Sequence, residues 1–161
     1  MTRCLAAAAL AAFALVAGCG RSPSTPSEGR RDGAAMMEEA VATAGDVTVR
    51  ASVVSTARLN EAVARQYGVE RNRGRVLVLV GVRQGPESDE ASLPAVVRAE
   101  VSDLRGVRQR LVLEEVRSGD LIDHAGSVRV TPPDTLRFDI SVEPEGKAPI
   151  RLQFNRDIFP D

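Results

Sequence analysis

The side chains best suited to chemistry surround the only histidine, His124, which follows Asp120 and Asp123. Asp-x-x-Asp-His offers two carboxylates and an imidazole, the donor types of a transition-metal site or an acid–base pair. A metal site needs three or four protein ligands, and no second histidine exists to help supply them. If residues 121–125 form a strand, Asp123 and His124 also point to opposite faces. The segment therefore reads as a turn or edge strand at the surface. A carrier of a small ligand or metal at Asp120, Asp123 and His124 is the competing reading.

Other catalytic sets are harder to assemble. A triad needs a nucleophile, a base and an orienting group, and neither a Gly-x-Ser-x-Gly elbow nor a second imidazole is present. The adjacent carboxylates Glu114-Glu115 diverge if they lie in a strand, and Asp89-Glu90 sit in a Pro- and Ser-containing loop. Neither pair separates an acid from a base. No glycine loop of the phosphate-binding kind follows a strand. The expectation is a chain that is not an enzyme and uses no cofactor.

Four arginines, Arg65, Arg71, Arg73 and Arg75, fall within eleven residues around Tyr67 and Asn72. Guanidinium groups meet phosphates and carboxylates in two-point hydrogen bonds. These four are the candidate contact for a protein or for an anionic envelope component such as lipid. The plainer reading is a solvated helix end and strand start, with arginine stems covering apolar surface and Glu61 and Glu70 as partners.

A different chemistry stands at the N-terminus. Arg3 precedes the uncharged apolar run Cys4 to Ala17, which closes in Val16-Ala17-Gly18-Cys19. The run is shorter than the roughly 20 residues a membrane-spanning helix needs and fits the core of an export signal. Small residues directly before a cysteine resemble the lipobox of bacterial lipoproteins. That resemblance implies diacylglycerol on the Cys19 thiol, cleavage after Gly18 and acylation of the new amine. Several acyl chains hold a protein stably where one does not. Gly20, in place of the aspartate associated with inner-membrane retention, implies the outer membrane, facing the periplasm. The membrane is thus the expected partner through Cys19.

Composition narrows the alternatives. Removal of residues 1–18 takes Cys4 with it and leaves Cys19 alone, so no internal disulfide or cysteine-built zinc site is expected. The formal charge is −1 for the full chain, and such a balance provides no long-range attraction to nucleic acid. All but one of the 21 basic residues are arginine, Lys147 being the exception, as a GC-rich genome would produce. With no tryptophan, one tyrosine and four phenylalanines, aromatic platforms for sugars or bases are scarce.

The elements that must position these residues follow from periodicity. Residues 20–33 (GRSPSTPSEGRRDG) show no apolar pattern, and residues 34–45 make a helical turn or continue them, so 19–45 reads as a flexible tether. About 25 residues of coil reach on the order of 25–30 Å. From Asp46 onward, residues 46–161 form one domain of ordinary size. Val47, Val49, Ala51 and Val53 alternate with polar residues, as do Leu136, Phe138, Ile140 and Val142, and then Ile150, Leu152 and Phe154. Each is a strand with one face on a core. Val76–Val80 is apolar on both faces and belongs in the middle of a sheet. Residues 95–102 and 107–116 supply two more strands, and 121–130 a weaker one. Leu59, Ala62, Val63 and Tyr67 instead repeat at helical spacing, with Gly68 placed to end the helix. The prediction is an all-β, antiparallel, immunoglobulin-like β-sandwich of about seven strands, with one short helix after the first.

Several of these segments together have a specific look. Leu59 with Val63-Ala64, then Tyr67-Gly68-Val69-x-Arg71 and Arg75 opening a strong strand, resembles the domain of unknown function 4426 family. Leu136-Arg137-Phe138-Asp139-Ile140 with Pro144-x-Gly146 is similar to its late strand, and Leu152-x-Phe154 with Phe159 to its closing strand. The resemblance spans about residues 47–160 and implies a compact β domain in the proteobacterial envelope. Members carry aromatic residues where this chain reads Asp120-Leu121-Ile122-Asp123-His124-Ala125, so the pattern departs there. No activity or site comes with the family. The leading expectation is a lipid-anchored, non-enzymatic binding or accessory module of the envelope.

Overall fold

The computed structural model describes residues 38–161. Ten strands lie within them: β1 (Ala40–Ala44), β2 (Val47–Ser55), β3 (Arg75–Gln84), β4 (Ala91–Ser92), β5 (Ala95–Ser102), β6 (Arg108–Leu111), β7 (Glu114–Ser118), β8 (Leu121–Arg129), β9 (Asp134–Pro144) and β10 (Ile150–Ile158). A 3₁₀ turn at Thr56–Arg58 and a short helix, α1 (Glu61–Gln66), connect β2 to β3. All pairings are antiparallel. One sheet has the order β1-β2-β3-β8-β7, with β4 against β3, and the other β10-β9-β5-β6. Setting aside β1 and β4, eight strands remain in the order ABED facing GFCC′, the immunoglobulin arrangement. The sandwich expected from the sequence is the one found.

Period-2 patterning builds the core. Val47, Val49 and Ala51 from β2, Val76, Val78, Val80 and Val82 from β3, and Leu136, Phe138, Ile140 and Val142 from β9 are all buried in one cluster. Each of these side chains except Ala51 contributes about 1.5–3 kcal/mol on full burial. Phe138 stacks on Phe154 of β10, with centroids 4.9 Å apart. Leu77 is buried on the outer face of β3, where the 3₁₀ turn packs against that strand. Residues 76–80 are therefore apolar on both faces, in a strand flanked by β2 and β8.

The helix is as short as its signals suggest. The Asn60 side chain accepts a hydrogen bond from the Val63 N–H at 2.9 Å, which caps the N-terminus. Gly68, at φ +62°, adopts the left-handed conformation that ends it.

Three expectations are corrected. The tether drawn to residue 45 gives way to β1, because Ala40–Ala44 pair with β2 through a tight Gly45-Asp46 hairpin, Gly45 lying at φ +61°. The single strand expected at 107–116 is two strands in different sheets. Leu111 pairs with Ala99 of β5 in one, and Glu114 with Ala125 of β8 in the other. The chain crosses between them at Val112-Leu113, over Gly126, where a side chain would run into the Val112 carbonyl. Finally, residues 121–129 are no edge strand: β8 lies between β3 and β7, and His124 is 6% exposed.

Candidate interaction surface

Asp120, Asp123 and His124 do not form one site. Asp120 is exposed in the turn between β7 and β8. Asp123 and His124 face opposite sides of β8, as strand alternation requires. His124 pairs with Val80 of β3 and shares the inner face with it, and its Nδ1 is buried without a hydrogen bond among the described residues. Asp123 lies outside, where Arg83 donates to its carboxylate at 2.5 Å and to the Ile122 carbonyl at 2.8 Å. Gly81 makes room for this pair, since a Cβ there would meet the Asp123 carboxylate at 3.2 Å and the Arg83 guanidinium at 3.3 Å.

The Arg83–Asp123 pair forms part of a hollow of about 200 Å³ on the outer face of the first sheet, lined also by Glu39, Arg50 and Ser52. Arg50 donates to Glu90 at 2.8 Å and lies 3.9 Å from Glu39. The hydrogen bond from Arg50 holds the Glu90 carboxyl below the usual carboxylate range and raises the arginine in turn. Tyr67 is pushed up by burial and by the Asp123 charge. The charges of the hollow thus largely neutralise one another. Among the described residues, no group of three or more His, Cys, Asp and Glu side chains is placed to hold a metal ion.

The four arginines singled out from the sequence have separate partners. Arg65, on the helix, pairs with Glu61 at 3.4 Å in solvent. Arg71 donates to the Ala57 carbonyl, and Arg75 of β3 to the Ser127 hydroxyl at 2.9 Å. Arg73 lines a cavity of about 420 Å³ with Gly74, Val130, Pro132, Pro160 and Asp161.

Arg71 and Arg73 do share one end of the sandwich with residues remote in sequence. The β5–β6 turn is held there by Asp103, whose carboxylate accepts from the Val107 and Arg105 N–H groups. It presents Leu104 and Val107, 74% and 51% exposed. The Leu104 N–H bonds Asp134 at the start of β9. Asp134 pairs with Ile158, the last residue of β10, and Phe159 follows at 70% exposure. Three residues further into β9, Arg108, Ser102, Arg137 and Asn155 stand side by side across all four strands of the second sheet. Within the described residues Arg73, Arg108 and Arg137 make no ion pair. The other exposed large apolar side chains, Val41, Val96, Val112 and Leu121, stand on four different segments.

The described chain also enters near this end. The Glu38 carbonyl accepts from Arg156, two residues before β10 closes, at 2.6 Å. Residues 1–37, and with them Cys19 and the expected export signal, lie outside the described residues. None of the described helices is long and apolar enough to cross a membrane.

Over residues 41–161 the sequence matches the family described as domain of unknown function DUF4426. No curated protein matches it. Among solved structures, a DUF4426 family protein from Pseudomonas aeruginosa PAO1 is 27% identical, with a TM-score of 0.66 over 76% of this chain and 96% of that one. A copper-bound variant of FetP from uropathogenic Escherichia coli strain F11 is 10% identical, with a TM-score of 0.54 over 76% and 97%. FetP from the same strain, as isolated after recombinant expression in the periplasm, is 9% identical at the same TM-score over 77% and 97%. The two FetP structures share the fold.

Proposed function

We propose that this chain, which belongs to the DUF4426 family, is a non-enzymatic binding module of the bacterial envelope, anchored by lipid on Cys19. The observation that carries the reading is the end of the sandwich beside Glu38. Leu104, Val107 and Phe159 are exposed there, and Arg73, Arg108 and Arg137 lack ion pairs among the described residues. Apolar side chains gathered at one surface with charged neighbours mark a contact site more often than scattered ones do. The lipobox-like Val16-Ala17-Gly18-Cys19 supports export and anchoring, and the periplasmic expression of the similarly folded FetP accords with that location. Gly20 favours the outer membrane.

The test is affinity capture of the membrane-anchored protein in mild detergent, with identification of the proteins and lipids that accompany it. The same companions should be depleted in an Arg108→Glu/Arg137→Glu variant that folds normally. Unchanged recovery would remove this surface from the account.

A second reading, a small-ligand carrier, has one observation in its favour: Asp123 lines the hollow with Arg50 and Arg83. Copper bound to FetP makes metal the first ligand to try. Titration with copper followed by melting temperature checks it, and no shift would end the metal form of this reading.

A further inference from the structure

We infer that the end of the sandwich carrying Leu104, Val107 and Phe159 docks against an anionic lipid bilayer, so that the domain stands on the membrane in one orientation. The inference rests on the proposed anchor at Cys19 and adds to it a second, independent membrane contact.

Three observations converge. The first is the place where the chain enters. Glu38 is fixed to Arg156 beside the end of β10, so whatever precedes residue 38 joins the domain near this end. Fully extended, residues 20–37 span at most about 65 Å, which keeps the domain close to its anchor.

The second is chemistry. Leu104 and Val107 project from a turn stiffened by Asp103, and Phe159 from the end of β10. Peripheral membrane contacts combine apolar side chains that enter the boundary of the acyl region with cations that meet the headgroups. Arg108 follows Val107 directly, Arg137 lies three residues into β9 from Asp134, and Arg73 stands on the neighbouring loop; guanidinium groups donate two-point hydrogen bonds to phosphate oxygens. Several acids at this end are already engaged: Asp103 by Arg105 and backbone N–H groups, Asp157 by Thr135, and Asp161 by Ser55 and Arg58.

The third is polarity of charge along the molecule. The opposite end, formed by the 85–90 loop and the β7–β8 and β9–β10 turns, exposes Glu87, Asp89, Asp120 and Glu145, while Glu143 there pairs with Arg98 and Lys147 with Asp46. An anionic surface repels that end and attracts the other, which favours one standing orientation.

The experiment uses residues 19–161 with Cys19→Ser, which removes the lipid but keeps every core residue, since these lie within 40–158. Co-sedimentation is measured with phosphatidylcholine vesicles and with vesicles containing phosphatidylglycerol. Binding to the anionic vesicles alone is expected, weakening as salt rises. Arg108→Glu/Arg137→Glu should weaken it about tenfold or more. Leu104→Ser/Phe159→Ser should weaken it too, with an unchanged melting temperature because both sites are exposed. Leu121→Ser, at the far end, should bind as the parent does. No binding to either vesicle, or binding indifferent to these substitutions, overturns the inference. The proposed anchor is tested separately, on the parent protein, by the mass of its N-terminal peptide.

Discussion

Asp123 and His124 are consecutive in β8 and belong to different environments. The carboxylate is tied to Arg83 on the outer face of the first sheet, and the imidazole Nδ1 is buried on the inner face without a hydrogen bond among the described residues. A strand cannot bring the two together. This is why a sequence that reads as a small acid–histidine motif yields an ion pair on one side and a core residue on the other.

The ion pair can be tested through stability. Arg83 is only 12% exposed, so Asp123→Ala strands a largely covered guanidinium. The expected loss is about 1–2 kcal/mol, below the figure for a fully buried pair because solvent still reaches the carboxylate. Gly81→Val should produce a loss of similar size by displacing the same pair. Urea denaturation at neutral pH measures both, and wild-type midpoints would show that the pair contributes nothing.

Phe138 sits at the centre of the core, fully buried and stacked on Phe154. Phe138→Ala should cost about 3–5 kcal/mol. The half-buried Phe154 should cost less when truncated. Thermal unfolding followed by circular dichroism gives the ranking.

Gly126 marks the point where the chain passes between the sheets. Its missing side chain leaves space for the Val112 carbonyl and for Leu111 and Leu113. Gly126→Ala should therefore destabilise the domain by about 1–3 kcal/mol through overpacking, although the backbone there is ordinary β. Gly106→Ala, where a Cβ meets nothing within 4 Å, should lose only the smaller cost of left-handed strain. A larger loss at Gly106 than at Gly126 would contradict this account of the crossover.

Asp103 sets an acid limit on the β5–β6 turn. The Val107 N–H, and after it Arg105, holds its carboxyl below the ordinary range against the opposing effect of burial. A lowered folded pKa means stability that is fully present above the unfolded carboxylate value. That stability is lost as pH falls through the folded value, in the region below about pH 4. Asp103→Asn should lower the melting temperature at neutral pH, and the gap to wild type should narrow as the pH drops to about 3. A gap that stays constant with pH would assign the turn's stability to other contacts.

Much of the fold is legible in the residues because period-2 patterning is a local signal. Val47–Val53, Leu136–Val142 and Ile150–Phe154 place their own faces, and Val76–Val80 declares a central strand. Asn60 and Gly68 bound the helix by short-range capping chemistry. What is not legible depends on contacts between distant segments. The alanine-rich β1 is defined by its pairing with β2, although Gly45-Asp46 is a recognisable hairpin turn. His124 is buried because its face of β8 turns toward the second sheet, which no local pattern around residue 124 records. The proposed contact surface draws on residues 73, 104–108, 137 and 159, and only the topology makes them neighbours. Arg65, Arg71, Arg73 and Arg75 are neighbours in sequence but stand on a helix, a loop and a strand, so proximity along the chain does not make them one cluster.

The account depends above all on the anchor, and one measurement addresses it directly. The protein is extracted from the membranes of cells expressing the full chain, and the mass of its N-terminal peptide is determined. The account predicts a peptide that begins at Cys19, carries diacylglycerol on the thiol and is acylated on the amine. A chain that begins at any other residue, or one with a free thiol at Cys19, would contradict it.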